Sequence, residues 1–181
     1  MIIEDFLKEL EIAFTVLKGR QDIMLDIFWN TLWEVESIVK PNEILVSVDY
    51  TAIDEGSHYA VHDTDTFYDI KQVIANGKEL VRVSKIYNLP SFIPSFSFYQ
   101  KTKTDLLINK GTTPPPSLDV KIVGWTKTFR VDLLTFSADH MTILNAQIKA
   151  GMLMRASQIL GDINRAQLFK QDYYQSLGIG G

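Results

Sequence analysis

Met141-Thr-Ile-Leu-Asn-Ala-Gln-Ile-Lys-Ala-Gly-Met-Leu-Met-Arg-Ala-Ser-Gln-Ile-Leu160 is the stretch whose reading decides the fold expected of this chain. Met141, Leu144, Ile148, Met152 and Ile159 recur at the three-to-four spacing of one helix face. Ala146, Ala150, Gly151, Ala156 and Ser157 run beside that stripe. Residues this small let a second backbone approach closely, so the helix is expected to be packed on more than one side. Gly161 can take the left-handed conformation that ends a helix, and Asp162 is a good N-cap for the next. The following helix places Ile163, Ala166, Phe169, Tyr173 and Leu177 on one face. Neither helix can cover its own stripe, so the cover must come from elsewhere in the chain.

The N-terminal end offers that cover. Ile3, Phe6, Leu7, Leu10, Ala13, Phe14 and Leu17 share a face over residues 2–18, with Glu4, Asp5, Lys8, Glu9 and Glu11 opposite. Gly19 is the expected stop, and Asp22 the expected cap of a second helix. That helix carries Leu25, Phe28, Trp29, Leu32, Trp33, Val35 and Val39 up to Pro41. Between the two ends the texture becomes strand-like. Ile44–Val48 is short and β-branched. Ile70–Ala75 and Lys78–Val83 flank Asn76-Gly77, the best residues for a two-residue type I′ turn. A hairpin on that turn sets Val73 opposite Leu80 and Ile70 opposite Val83. Phe96–Tyr99 and Leu106–Ile108 suggest a second hairpin. Thr112–Ser117, with three prolines, suggests a stiff connector. Val120–Trp125 is the last clear strand, with a short continuation through Phe129 and Val131.

Helices, then strands, then helices indicate an α+β class. The expected architecture is a helical bundle made by both chain ends, two N-terminal and two C-terminal helices, with a β-rich insertion. The expected boundaries are 1–42 and 134–177 for the bundle, 43–133 for the insertion and 178–181 for a flexible tail.

Composition narrows the function. At 46% apolar and 22% charged residues the chain has the make-up of a globular protein able to bury a core. No run approaches the roughly 18 apolar residues of a membrane span, and the start Met1-Ile-Ile-Glu-Asp-Phe6 lacks the features of a signal peptide. Cysteine is absent, which excludes disulfides and thiolate metal sites. Of the net charge of −4, residues 1–40 hold eight acidic and four basic side chains, while 138–181 hold three and four. No basic stripe is present to grip phosphates, so sequence-specific nucleic-acid binding is not expected.

Catalytic signals are weak. His58-Tyr-Ala-Val-His62-Asp-Thr-Asp65 has two histidines at i, i+4, the spacing of zinc hydrolases, and a metal-dependent hydrolase using His58, His62, Asp63 and Asp65 is one reading. The companion Glu between the histidines is missing, and the plainer reading is exposed polar loop residues. His140, near a helix start, reads as a surface residue. Trp29, Trp33, Trp125, Tyr173 and Tyr174 could form a stacking platform, but their places on amphipathic faces favour core or subunit contact. No nucleophile elbow, phosphate loop or dinucleotide fingerprint is present. No catalytic residue, cofactor or metal is expected.

The linear pattern resembles the head-to-tail connector (adaptor, or neck) proteins of tailed bacteriophages, especially those of short-tailed phages. The resemblance rests on the Trp-containing second helix, the run Val73–Val83, the aromatic strand Ser95–Tyr99, Leu106–Ile108 before the prolines, and Val120–Trp125. It closes with Ala150–Ala166, including Leu160-Gly-Asp-x-x-Arg-Ala166, and Phe169–Leu177. It implies a non-enzymatic virion protein at the head–tail junction, present in the host cytoplasm during assembly. Its partners would be itself, as a dodecameric ring around the DNA path, the portal protein, and other tail or neck proteins. It implies portal contact through Phe169, Tyr173, Tyr174, Leu177 and Ile179. An acidic channel wall from residues 1–40 would fit this role. The competing reading is a cellular binding module presenting Phe96, Phe98 and Tyr99 on the β insertion.

Overall fold

Asn76 and Gly77 both have positive φ, 48° and 74°, as the type I′ turn demands. The hairpin they start is short, and its shortness governs the β part of the molecule. The computed structural model describes residues 1–86, 96–110, 117–131 and 133–179. Within it the chain divides into two compact units, Leu45–Lys127 and Met1–Ile44 with Thr128–Gly181.

The first unit is built from β1 (Leu45–Asp54), β2 (His58–Val61), β3 (Phe67–Ala75), β4 (Lys78–Glu79), β5 (Val81–Arg82), β6 (Phe98–Lys101), β7 (Leu106–Asn109) and β8 (Leu118–Thr126). They form one eight-stranded sheet in the order β4-β3-β8-β1-β2-β7-β6-β5. Every described pairing is antiparallel except β5 with β6. The two edge strands, β4 and β5, are separated in sequence by Leu80 alone. Glu79 pairs with Ile74 on one edge, while Val81 N–H donates to Ser97 O and Val83 N–H to Tyr99 O on the other, both at 2.8 Å. One continuous segment therefore joins both edges, and the sheet is nearly closed into a barrel. Closure removes the exposed edges that invite aggregation. Along β8, Leu118, Val120 and Ile122 are buried and alternate with exposed Asp119 and Lys121, the period of two that a one-sided core requires. Tyr59, Val73, Leu80, Tyr99, Leu106 and Ile108 join them in the barrel's core. Gly124 lies where β3 is irregular, and a Cβ there would stand 2.5 Å from Asp69 O and 2.8 Å from Phe67 Cδ1. Only glycine fits beside that bulge.

The second unit is helical: α1 (Ile3–Ala13), α2 (Gln21–Val39), α3 (Asp139–Ile143), α4 (Asn145–Ile159) and α5 (Ile163–Ser176). The first N–H groups of α1, which have no partner inside the helix, donate to Phe136 O at 3.1 Å (Ile3) and Leu134 O at 3.0 Å (Glu4). α1 ends at Ala13, earlier than its periodicity suggests, and Thr15–Leu17 forms a single 3-10 turn. The expected helix over 141–160 is two helices, with Leu144 between α3 and α4. From Asn145 to Ser157 only Ala146 of α4 is exposed, so α4 is the centre of this unit. α1, α2 and α5 all pack on it. Gly151 permits that crowding: a Cβ there would stand 2.6 Å from Thr31 Cγ2 on α2 and 2.9 Å from Tyr173 Cε2 on α5.

The expected class, a helical bundle made by both chain ends with a β-rich insertion, is corrected by this architecture. The chain carries a mixed eight-stranded, nearly closed barrel with a core of its own, not a set of hairpins inserted into a bundle. The expectation failed at Leu80. The hairpin reading carried Lys78–Val83 along β3, with Ile70 opposite Val83, yet beyond Leu80 the chain leaves β3 and pairs in parallel with β6. Nothing in the alternation of that segment distinguishes the two partners. The continuation through Phe129 and Val131 is not a strand, and Phe129 is exposed. The proline connector Thr112–Ser117 lies, apart from Ser117, outside the described residues.

Candidate functional site

The joint between α4 and α5 is set by local chemistry. Gly161 has φ +73°. Its N–H donates to Gln158 O, and Asp162 N–H donates to Ser157 O, the pair of bonds of a Schellman C-cap. The Asp162 carboxylate then accepts from Arg165 N–H at 3.1 Å, capping α5. α5 ends the same way at Gly178, with Gly178 N–H on Gln175 O and Ile179 N–H on Tyr174 O.

Of the residues assigned to portal contact, Tyr173 is fully buried against Gly151, so its ring is not available to a partner in this structure. Burial, with the Glu34 carboxylate nearby, pushes its phenol well above the usual tyrosine range. Phe169 and Leu177 pack against the helical core, Phe169 edge-on to Phe14 at 6.5 Å between ring centroids. Tyr174 and Ile179 are exposed. Of the positions expected for a flexible tail, Gly178 and Ile179 are described, and 180–181 lie outside the described residues.

More telling are large aliphatic side chains left in water although the helical core is filled. Ile12 is 81% exposed, Ile163 70%, and Val16, Ile159 and Leu168 are also exposed. Isolated exposed aliphatics are ordinary, but Ile12 and Ile163 each line a groove. One, about 260 Å³, lies between α1 and α4 and is lined by Phe6, Leu10, Ile12, Met152 and Leu153 with the Glu9–Lys149 ion pair. The other, about 320 Å³, lies between α4 and α5 and is lined by Ser157, Gly161, Ile163, Ala166, Gln167 and Lys170.

The helical unit also holds a polar cluster that sequence reasoning missed. Glu36 on α2 is fully buried. His140 Nε2 is 2.8 Å from its Oε1, Thr128 Oγ1 donates to the same oxygen at 2.5 Å, and Thr128 N–H donates to Oε2 at 3.2 Å. Trp33 Nε1–H adds a bond to Thr128 O at 2.8 Å. His140, expected on the surface, is buried. Glu36 was detectable: it falls four residues after Leu32 on the apolar stripe of α2, where a carboxylate needs a buried partner. An ion pair, Glu34 with Arg155, joins α2 to α4.

His58 departs from the plainer expectation of exposed loop residues, whereas His62 is an exposed residue just past β2. β2 buries all four of its residues, so His58 is not a loop residue. Its Nε2 lies 3.0 Å from Glu55, while His62 spans Glu55 at 3.3 Å and Asp105 at 3.0 Å. The hydrogen bond to Asp105 raises the His62 pKa. Among the described residues no group of three or more His, Asp or Glu is placed to hold a metal ion. Of the aromatic face of the binding-module reading, Tyr99 is in the barrel core, Phe96 packs on Tyr59 at 5.8 Å between centroids, and Phe98 is half-buried. Among the described residues no helix is long and apolar enough to cross a membrane.

No protein-family model matches the chain, and no curated protein matches it.

Proposed function

We propose that the chain is the subunit of a homo-oligomeric ring in the head-to-tail connector of a tailed phage, joining portal to tail around the DNA path. The observation that carries this reading is the set of aliphatic side chains, led by Ile12 and Ile163, standing in water on a helical unit whose core is already complete. Exposed apolar surface beside grooves marks a site of association. The order of sequence segments that resembles connector proteins supports the same reading. Tyr174 and Ile179, at the exposed end of α5, are the residues of the portal-contact set accessible to a partner. The test is to mix the purified protein with the portal protein encoded in the same genome and to image the mixture by negative-stain electron microscopy with light scattering on the eluted peak. A ring seated on the portal is the expected result. A protein that remains a monomer both alone and with portal refutes the reading.

A further inference from the structure

We infer that copies of this chain associate head to tail, the end of α1 on one copy seating in the α4–α5 groove of a second copy. This rests on the ring reading above and names the surfaces that make the contact. Ile12 has the highest exposure of any large aliphatic side chain among the described residues, 81%. It stands one residue before α1 ends and Phe14 turns into the core, so it forms a projecting knob. The α4–α5 groove is the complementary shape. Gly161 opens it, with nothing within 4 Å of where a Cβ would lie, and Ala166 and Ile163 give it apolar walls. A cavity of roughly 150 Å³ holds a benzene, so about 320 Å³ accommodates an isoleucine side chain with room for its neighbours.

Charge selects the occupant. α1 carries Glu4, Asp5, Glu9 and Glu11 against Lys8 alone, whereas residues 145–177 carry Lys149, Arg155, Arg165 and Lys170 against Asp162 and Asp172. Lys8 pairs with Glu4 and Lys149 with Glu9, which leaves Glu11, beside the knob, with no ion pair among the described residues. Lys170, lining the groove, has no carboxylate partner among them either; its Nζ lies 5.6 Å from the centroid of the Tyr174 ring. An acidic knob thus meets a groove with a spare cation on the same polypeptide. Opposite potentials of this kind steer association and fix its register. Because knob and groove are different surfaces, a contact made once at each is heterologous and propagates from copy to copy, which yields a ring when the rotation closes.

The test uses the full chain in sedimentation velocity up to about 200 μM, a range that reveals contacts far weaker than micromolar. Wild type should self-associate beyond a dimer. Ile12→Ser alters a side chain already in solvent, so it leaves the fold intact, and it should weaken association about thirtyfold. Glu11→Lys and Lys170→Glu should each weaken it about fivefold. The double variant, which restores opposite charges across the contact, should return to near the wild-type value. A wild type monomeric throughout overturns the inference, leaving the connector reading to the portal experiment. Association unaffected by Ile12→Ser, or a double variant weaker than either single one, also overturns it while leaving the ring itself in place.

Discussion

Replacing Gly151 by alanine is the sharpest probe of how the helical unit is held. On an exposed helix this change stabilises by about 1 kcal/mol, because glycine is a poor helix former. Here the new methyl carbon would stand 2.6 Å from Thr31 Cγ2 and 2.9 Å from Tyr173 Cε2. Ordinary contact lies near 3.5–4.0 Å, so roughly an ångström must be found on two sides at once. Thr31 and Tyr173 are both fully buried and belong to different helices, so moving α4 away from one drives it toward the other. The overpacking cost belongs in the upper part of its usual range, about 2–3 kcal/mol. Subtracting the propensity gain leaves a net loss of about 1–2 kcal/mol. Urea unfolding followed by circular dichroism at the helical band should show it as a lower midpoint. Adding Thr31→Ser removes the clashing methyl while keeping the hydroxyl that donates to Ile27 O. The double variant should recover about 1 kcal/mol relative to Gly151→Ala alone. A Gly151→Ala protein as stable as wild type would refute the close approach of three helices at this point.

Three further outcomes are expected. His140→Ala takes one hydrogen-bonding partner from the buried Glu36 carboxylate and should cost about 2–3 kcal/mol in the same urea assay; an unchanged midpoint would show that the pair is dispensable. Gly124→Ala sets a methyl against the backbone oxygen of Asp69, which cannot swing aside as a side chain could. Loss of about 2 kcal/mol or more, read by hydrogen exchange in β3 and β8, is expected. His62 should titrate above the ordinary imidazole value of about 6.5, because Asp105 accepts its Nδ1–H, and Asp105→Asn should lower that value in an NMR titration. Since folding raises the His62 pKa, its contribution to stability is complete below the unfolded value and fades as pH rises through the folded one. The Asp105 pKa is lowered, first by the Thr104 hydroxyl and then by His62. Its contribution is therefore complete above the unfolded carboxylate value and fades as pH falls through the folded one. The pair contributes most in the mildly acidic window between the two ordinary values. An Asp105→Asn protein whose His62 titrates unchanged would remove this account.

Much of the local structure was legible because short-range chemistry dictates it. The turn at Asn76-Gly77 forms with both residues at positive φ, and Asp162 caps α5 after Gly161 ends α4. The stripe of α1 is buried where its spacing puts it, and that of α2 from Leu25 to Val35, with Trp33 half-buried, while Val39 at its end is exposed. The signals failed where burial or partner choice depends on residues distant in sequence. Phe14 leaves the helix although it continues its periodicity, and its ring packs edge-on to Phe169 from the other end of the chain. His140 looked like a surface histidine because nothing near it in sequence shows that Glu36 lies 2.8 Å away. The portal-contact role of Phe169, Tyr173 and Leu177 is implied by the resemblance, and their aromatic or apolar character suits a core as well as it suits an interface.

The sequence by itself determined part of the local structure: the joint at Gly161-Asp162, the turn at Asn76-Gly77, the strand through Val120–Trp125, and that no thiol chemistry is available. Each follows from backbone conformations and capping bonds that a few adjacent residues control. Tertiary structure alone decided that the sheet is nearly closed, since Val81 and Val83 could equally have stayed on β3 and instead pair beside Phe98 and Tyr99. It also decided which aliphatic side chains remain in water. A backbone hydrogen bond is satisfied by any strand that comes within reach, and a greasy side chain by any core with space left. Those choices belong to the packing of the whole chain and leave no mark on the residues that make them.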